Sequence, residues 1–171
     1  LHVLAANKIA AVVPPCLNII EEYFATIEGK NDNDARLETI SWDDLLLEVA
    51  GALKTLAEEG PAEVNPPVRD ESLLLKTRKT LRRLLDHAAR GYYAKLSGLA
   101  LEALATWGDL DLTNALERLF GLDDEAKEAA LRVIEKYADK MDKEKLRHFA
   151  CLCFRNPNDN DNAITLLFYR A

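Results

Sequence analysis

Asp70-Glu71-Ser72-Leu73-Leu74-Leu75-Lys76-Thr77-Arg78-Lys79-Thr80-Leu81-Arg82-Arg83-Leu84-Leu85-Asp86-His87-Ala88-Ala89-Arg90 spaces its apolar residues three and four apart. At about 100° per residue, Leu74, Thr77, Leu81, Leu84, Leu85 and Ala88 share one stripe of a helix. Lys76, Lys79, Arg83, His87 and Arg90 share the opposite face, flanked by Arg78 and Arg82. Such a helix must bury its leucine stripe against other elements. Asp70 is placed to cap its N-terminus. Gly91 either ends it or lies within a longer helix reaching Thr106, at a cost of about 1 kcal/mol relative to alanine.

The same spacing extends to both sides. Leu and Ala dominate, and no alternating run of strand length or Asn-Gly or Asp-Gly hairpin signal occurs. On the N-terminal side, Pro14-Pro15 is expected to break a first helix near Val13 and to open a second over residues 16–28, ended by Gly29. Lys30-Asn31-Asp32-Asn33-Asp34 reads as a polar loop, and Ser41 with Asp44 as the cap of a helix over 42–59. Gly60-Pro61 and Asn65-Pro66-Pro67 mark residues 60–70 as an exposed linker, where the chain could divide into two lobes. Beyond α-helical residues 70–106, Trp107-Gly108-Asp109 stops the pattern, and Asp111, Asp123 and Asp142 are placed to cap helices ending near Gly121, Lys140 and Phe154. A loop at 155–161 precedes a final apolar helix over 162–171. No period of solenoid length recurs. The expected fold is all-α, a single irregular helical bundle of seven to nine helices over residues 1–171.

With 171 residues, of which 49% are hydrophobic, the chain can bury about two-thirds of its unfolded surface without staples. Its cysteines, Cys16, Cys151 and Cys153, are odd in number and fit no small disulfide scaffold, which suggests a reducing, cytoplasmic setting. No stretch approaches the ~18 apolar residues of a membrane span. Leu1 stands where an initiator Met would, and both ends read as helix without a cap or terminator. This predicts a processed product or a segment of a longer chain. The net charge of −7 argues against bulk attraction to nucleic acid or anionic membrane. The layout is asymmetric, however. Residues 1–71 carry 14 acidic and 5 basic side chains, net −9, and residues 72–171 carry 15 and 17, net +2.

The positive charge gathers on the helix that begins at Asp70. Lys76, Lys79, Arg82, Arg83, His87 and Arg90 make a ridge about 20 Å long at about 1.5 Å of rise per residue. A ridge of this kind suits a phosphate backbone or an acidic partner surface; the plain alternative is a solvated face neutralised by the acidic first half. Tyr92 and Tyr93, at its end, are placed either to stack on a base or to fill core.

Other chemistry is thinly supported. His148, Cys151 and Cys153 are too few for structural zinc and read better as an apolar helix with small buried thiols. Asp32 with Asp34 and Asn158 with Asn160 lack the glycine and glutamate of a calcium loop. Glu21-Glu22 and Asp43-Asp44 are adjacent, so each pair diverges by about 100° on a helix. Hydrolase, metalloprotease and nucleotide-binding motifs do not occur. The reading is therefore non-enzymatic, with no metal and no cofactor. The apolar segments at 1–13 and 164–171 carry too few polar residues to cover themselves and are expected to pack on each other or on a protein partner.

In size, helicity and its one basic strip, the chain resembles the small helical subunits that line the strand path in CRISPR effector complexes. The resemblance is of general character and covers no motif. It implies a non-enzymatic helical subunit or excised domain of a larger assembly, touching protein neighbours through its apolar ends and nucleic-acid backbone through the ridge. The alternative is an adaptor or regulatory domain that binds protein alone.

Overall fold

The computed structural model describes residues 2–29, 41–58, 70–91, 93–109, 112–122 and 124–154. They form seven α-helices: α1 (His2–Gly29), α2 (Trp42–Glu58), α3 (Glu71–Arg90), α4 (Ala94–Thr106), α5 (Thr113–Phe120), α6 (Asp124–Tyr137) and α7 (Lys143–Phe154). A single 3-10 turn, Ala138–Lys140, follows α6. Among the described residues there is no strand, and the fold is an all-α bundle.

Local chemistry sets most of the boundaries. Asp70 Oδ1 accepts from the backbone N–H groups of Ser72 and Leu73 at 2.9 and 3.2 Å, satisfying two of the four free donors at the start of α3. Asp142 does the same for α7, accepting from Glu144 N at 2.8 Å. Ser41 Oγ accepts from Asp44 N at 3.4 Å at the start of α2. The caps expected from Asp111 and Asp123 lie outside the described residues, and the cap position of α5 falls on Leu112, which offers no side-chain acceptor.

Gly91 ends the long helix, so α3 and α4 are separate. Its φ of −82° is open to any residue. A Cβ there would stand 2.5 and 2.7 Å from ring carbons of Tyr93, so any larger residue displaces that half-exposed ring. At the far end of α4, Gly108 has φ 74°, the left-handed conformation that glycine tolerates best. Around it, Gly108 N bonds to Ala105 O and Asp109 N to Leu104 O, each at 3.0 Å, which closes α4 as a Schellman motif.

One boundary departs from the sequence reading. Pro14 and Pro15 do not break the chain; α1 runs through both. Each proline removes a helical hydrogen bond at about 3 kcal/mol. Val13, Leu17, Ile20 and Phe24, at helical spacing across the prolines, are all buried, each contributing about 1.5–3 kcal/mol. An unbroken helix keeps Val13 in line with Leu17, Ile20 and Phe24 on the buried face of α1.

α4 sits at the centre, contacting α2, α3, α5 and α6. Its sequence explains this. Leu96, Ala100, Leu101, Ala103, Leu104 and Ala105 are buried around most of its circumference, which leaves only a narrow edge with Lys95 and Glu102 toward water. Gly98 lets α6 approach: a Cβ there would stand 2.7 Å from Ala129 Cβ. Glu102, on the one polar edge of α4, accepts from Lys54 of α2 at 2.5 Å and Arg132 of α6 at 2.8 Å. Burial alone would raise the Glu102 carboxyl, but the two cations outweigh it and hold its pKa below the usual range. Trp107, fully buried, donates from Nε1 to Leu53 O of α2 at 3.0 Å. The buried apolar residues form one cluster from Val13 to Phe149.

The linker expected at 60–70, the polar loop at 30–34, the paired Asx loops and the final helix at 162–171 fall outside the described residues, apart from Asp70. The apolar face expected at residues 1–13 does so as well, for side chains before Ala11.

Candidate functional site

The basic face of α3 is the one constellation that the sequence marks for function. The opposite face is core, with Thr77, Thr80, Leu81, Leu84, Leu85 and Ala88 all buried. The two threonines satisfy their hydroxyls: Thr77 Oγ1 donates to Leu73 O at 2.7 Å, and Thr80 Oγ1 donates to Glu21 Oε1 at 2.8 Å.

On one flank, α1 receives part of the ridge. Arg83 donates from Nη1 to Glu21 Oε2 at 3.0 Å and from Nη2 to Glu28 Oε1, while its guanidinium lies 4.0 Å over the Phe24 ring. Glu21, Phe24 and Glu28 recur at helical spacing, so one face of α1 presents all three. His87 Nε2 and Tyr23 Oη share a hydrogen bond of 2.6 Å, and the imidazole stands edge-on to Tyr23 and Phe24. Burial, then Arg90, push the His87 pKa down; Asp43 pulls the other way, and Arg83 adds a smaller downward push. Burial pushes the Tyr23 pKa up. Both groups therefore favour their neutral forms, which suits a phenol donating to an unprotonated Nε2.

On the other flank, the Schellman turn after α4 supplies acceptors. Arg82 donates from Nε and Nη2 to the two carboxylate oxygens of Asp109 at 2.5 and 2.6 Å. The Asp109 side chain is only 9% exposed. Arg78 Nε donates to Trp107 O at 2.9 Å. The left-handed Gly108 between these two acceptors turns both toward α3.

Of the six candidate residues, Arg82, Arg83 and His87 are thus engaged in seams with neighbouring elements. Lys76, Lys79 and Arg90 are exposed. Arg90 Nε donates to Asp86 O of its own helix at 3.0 Å. Lys76 and Lys79 have no ion-pair partner among the described residues. Tyr93, 44% exposed, stands at the end of α3.

A residue beside the ridge was not singled out by the sequence reading. Leu75 is 70% exposed. The signal for it was present in Leu73-Leu74-Leu75: three consecutive helical residues span about 200°, wider than the face α3 buries, so one of them turns outward.

His148 pairs with Glu117 of α5 at 2.8 Å, and Cys151 is exposed on α7 rather than the buried thiol expected from its apolar neighbours. Among the described residues, no group of three or more His, Cys, Asp or Glu side chains is placed to hold a metal ion. A cavity of about 240 Å³ lies between α5, the 3-10 turn and α7, lined in part by Thr113, Lys140, Asp142 and Phe149. Its carboxylate, Asp142, is the cap of α7. No described helix is long and apolar enough to cross a membrane.

Comparisons with known protein families, with curated proteins and with solved structures find no match to this chain.

Proposed function

We propose that the chain is a non-enzymatic helical interaction domain, working in the cytoplasm as part of a larger assembly and held there by contacts with protein. The observation that carries this reading is the internal engagement of the α3 ridge: Asp109 takes Arg82, Glu21 and Glu28 take Arg83, and Tyr23 takes His87. Non-specific affinity for nucleic acid grows with the number of phosphates neutralised. Three outward cations on a protein of net charge −7 supply little of it. The apolar composition of residues 1–13 and 164–171 favours protein neighbours, and the odd set of cysteines favours a reducing compartment.

A second reading keeps nucleic-acid contact, as the resemblance to small CRISPR effector subunits implies. It is favoured by the exposure of Lys76, Lys79 and Arg90 along a single helix. Binding of the chain to labelled single- and double-stranded DNA and RNA across a salt series separates the two. Reversal of Lys76 and Lys79 to Glu is the informative variant, because both side chains are exposed and have no ion-pair partner among the described residues. The interaction-domain reading expects no salt-sensitive binding. Binding that falls steeply with salt and disappears in the reversed variant overturns it.

A further inference from the structure

We propose that the outward strip of α3 around Leu75 is a docking site for an acidic, amphipathic helix of a partner protein, an inference that rests on the interaction-domain reading above. Leu75 is 70% exposed, more than any other large apolar side chain among the described residues. Single exposed leucines are common on protein surfaces and by themselves mean nothing. This one is bordered by Lys76 and by Lys79, one helical turn further on, both exposed and without ion-pair partners among the described residues. The basic neighbours Arg82 and Arg83 are engaged within the fold. The uncommitted positive charge of this stretch of α3 is therefore placed against its one outward apolar residue.

Charge complementarity and spacing select the occupant. Lysines three apart on a helix stand about 5–6 Å from each other, the same separation as two carboxylates three or four apart on a facing helix. An apolar residue in the same stripe of that partner covers Leu75, the helix-on-helix mode in which periodic anchors give specificity. The arrangement also fixes a direction. Glu71, exposed one turn before Leu75, repels carboxylates, so the acidic residues of the partner lie toward Lys79. A phosphate backbone fits less well, because it gains nothing from Leu75 and two lysines neutralise at most two phosphates.

The test uses the full 171-residue chain. The probe is a fluorescein-labelled helical peptide with Glu at i and i+4 and Leu between them, read by anisotropy. Matched peptides replace every Glu by Lys or every Leu by Ser, and a single-stranded oligonucleotide is run alongside. Binding of the Glu/Leu peptide is expected to weaken about tenfold or more in Lys76→Glu/Lys79→Glu and several-fold in Leu75→Ser, a tenfold change being about 1.4 kcal/mol. Thermal unfolding of both variants is expected to match the unsubstituted chain, since none of the three side chains is buried. The proposal is overturned if the Glu/Leu peptide binds no better than its Lys counterpart, or if both variants bind it as the original does. A chain that ignores peptide and oligonucleotide alike loses this site but keeps the interaction-domain reading. A chain that binds the oligonucleotide through Lys76 and Lys79 loses both.

Discussion

Replacing Arg82 by Glu separates a structural ridge from a functional one. Asp109 is 9% exposed at its side chain, and Arg82, at 47%, grips it with two donors at 2.5 and 2.6 Å. A hydrogen bond to a charged group contributes about 1.5–3 kcal/mol when shielded, and the half-exposed guanidinium reduces the pair to about 1–2 kcal/mol in total. That is the loss expected for Arg82→Ala. In Arg82→Glu a second carboxylate faces Asp109. Two like charges about 4 Å apart in an effective dielectric of about 20 repel by about 4 kcal/mol, an upper bound because the new side chain can swing into water. The expected total for Arg82→Glu is about 2–4 kcal/mol. At about 2–4 °C per kcal/mol for a domain of this size, Tm falls by about 4–16 °C. Circular dichroism melts and urea unfolding measure this, and a double-mutant cycle of Arg82→Ala with Asp109→Ala isolates the pair. Stability of Arg82→Glu within about 0.5 kcal/mol of the original would refute the structural role and return Arg82 to the free surface. The experiment also warns against reading a binding loss in an Arg82 reversal as loss of a contact with nucleic acid.

Gly98→Leu is expected to destabilise by at least about 1–3 kcal/mol through overpacking, since the space beyond a Cβ is occupied by Ala129; urea denaturation detects it, and an unchanged midpoint would contradict the close α4–α6 approach. His87 has a folded pKa below its unfolded value, so its contribution to stability is full above the unfolded value near pH ~6.5 and is lost as pH falls through the folded value. Between about pH 7.5 and 5, the original chain should therefore lose more stability than His87→Gln; equal losses would remove the imidazole from the pH response. Burial pushes the Cys16 thiol up, while Cys151 is exposed, so mass spectrometry of a limited iodoacetamide reaction should find Cys151 labelled ahead of Cys16, and the reverse order would count against the packing of α1.

What the sequence determined by itself is whatever depends on neighbours within about one helical turn. The stripe of Leu81, Leu84, Leu85 and Ala88 is buried because a helix places those positions together wherever it docks. Asp70, Ser41 and Asp142 cap their helices because a side-chain oxygen reaches free N–H groups two or three residues on. Gly108 stops α4 because the backbone there turns left-handed. Tertiary structure decided the rest. Pro14 and Pro15 lie inside a continuous α1, which holds Val13 in line with Leu17 on one buried face, an alignment that the local proline signal does not contain. The ridge was legible as a polar face, but amphipathicity says only that a face is polar, not whether water or another polar element covers it. Arg82 meets Asp109 across 27 residues, Arg83 meets Glu21 across 62, and His87 meets Tyr23 across 64. Those meetings follow from how α1 and the end of α4 dock on α3, and that docking is set by the fit of the apolar faces, which no single helix records.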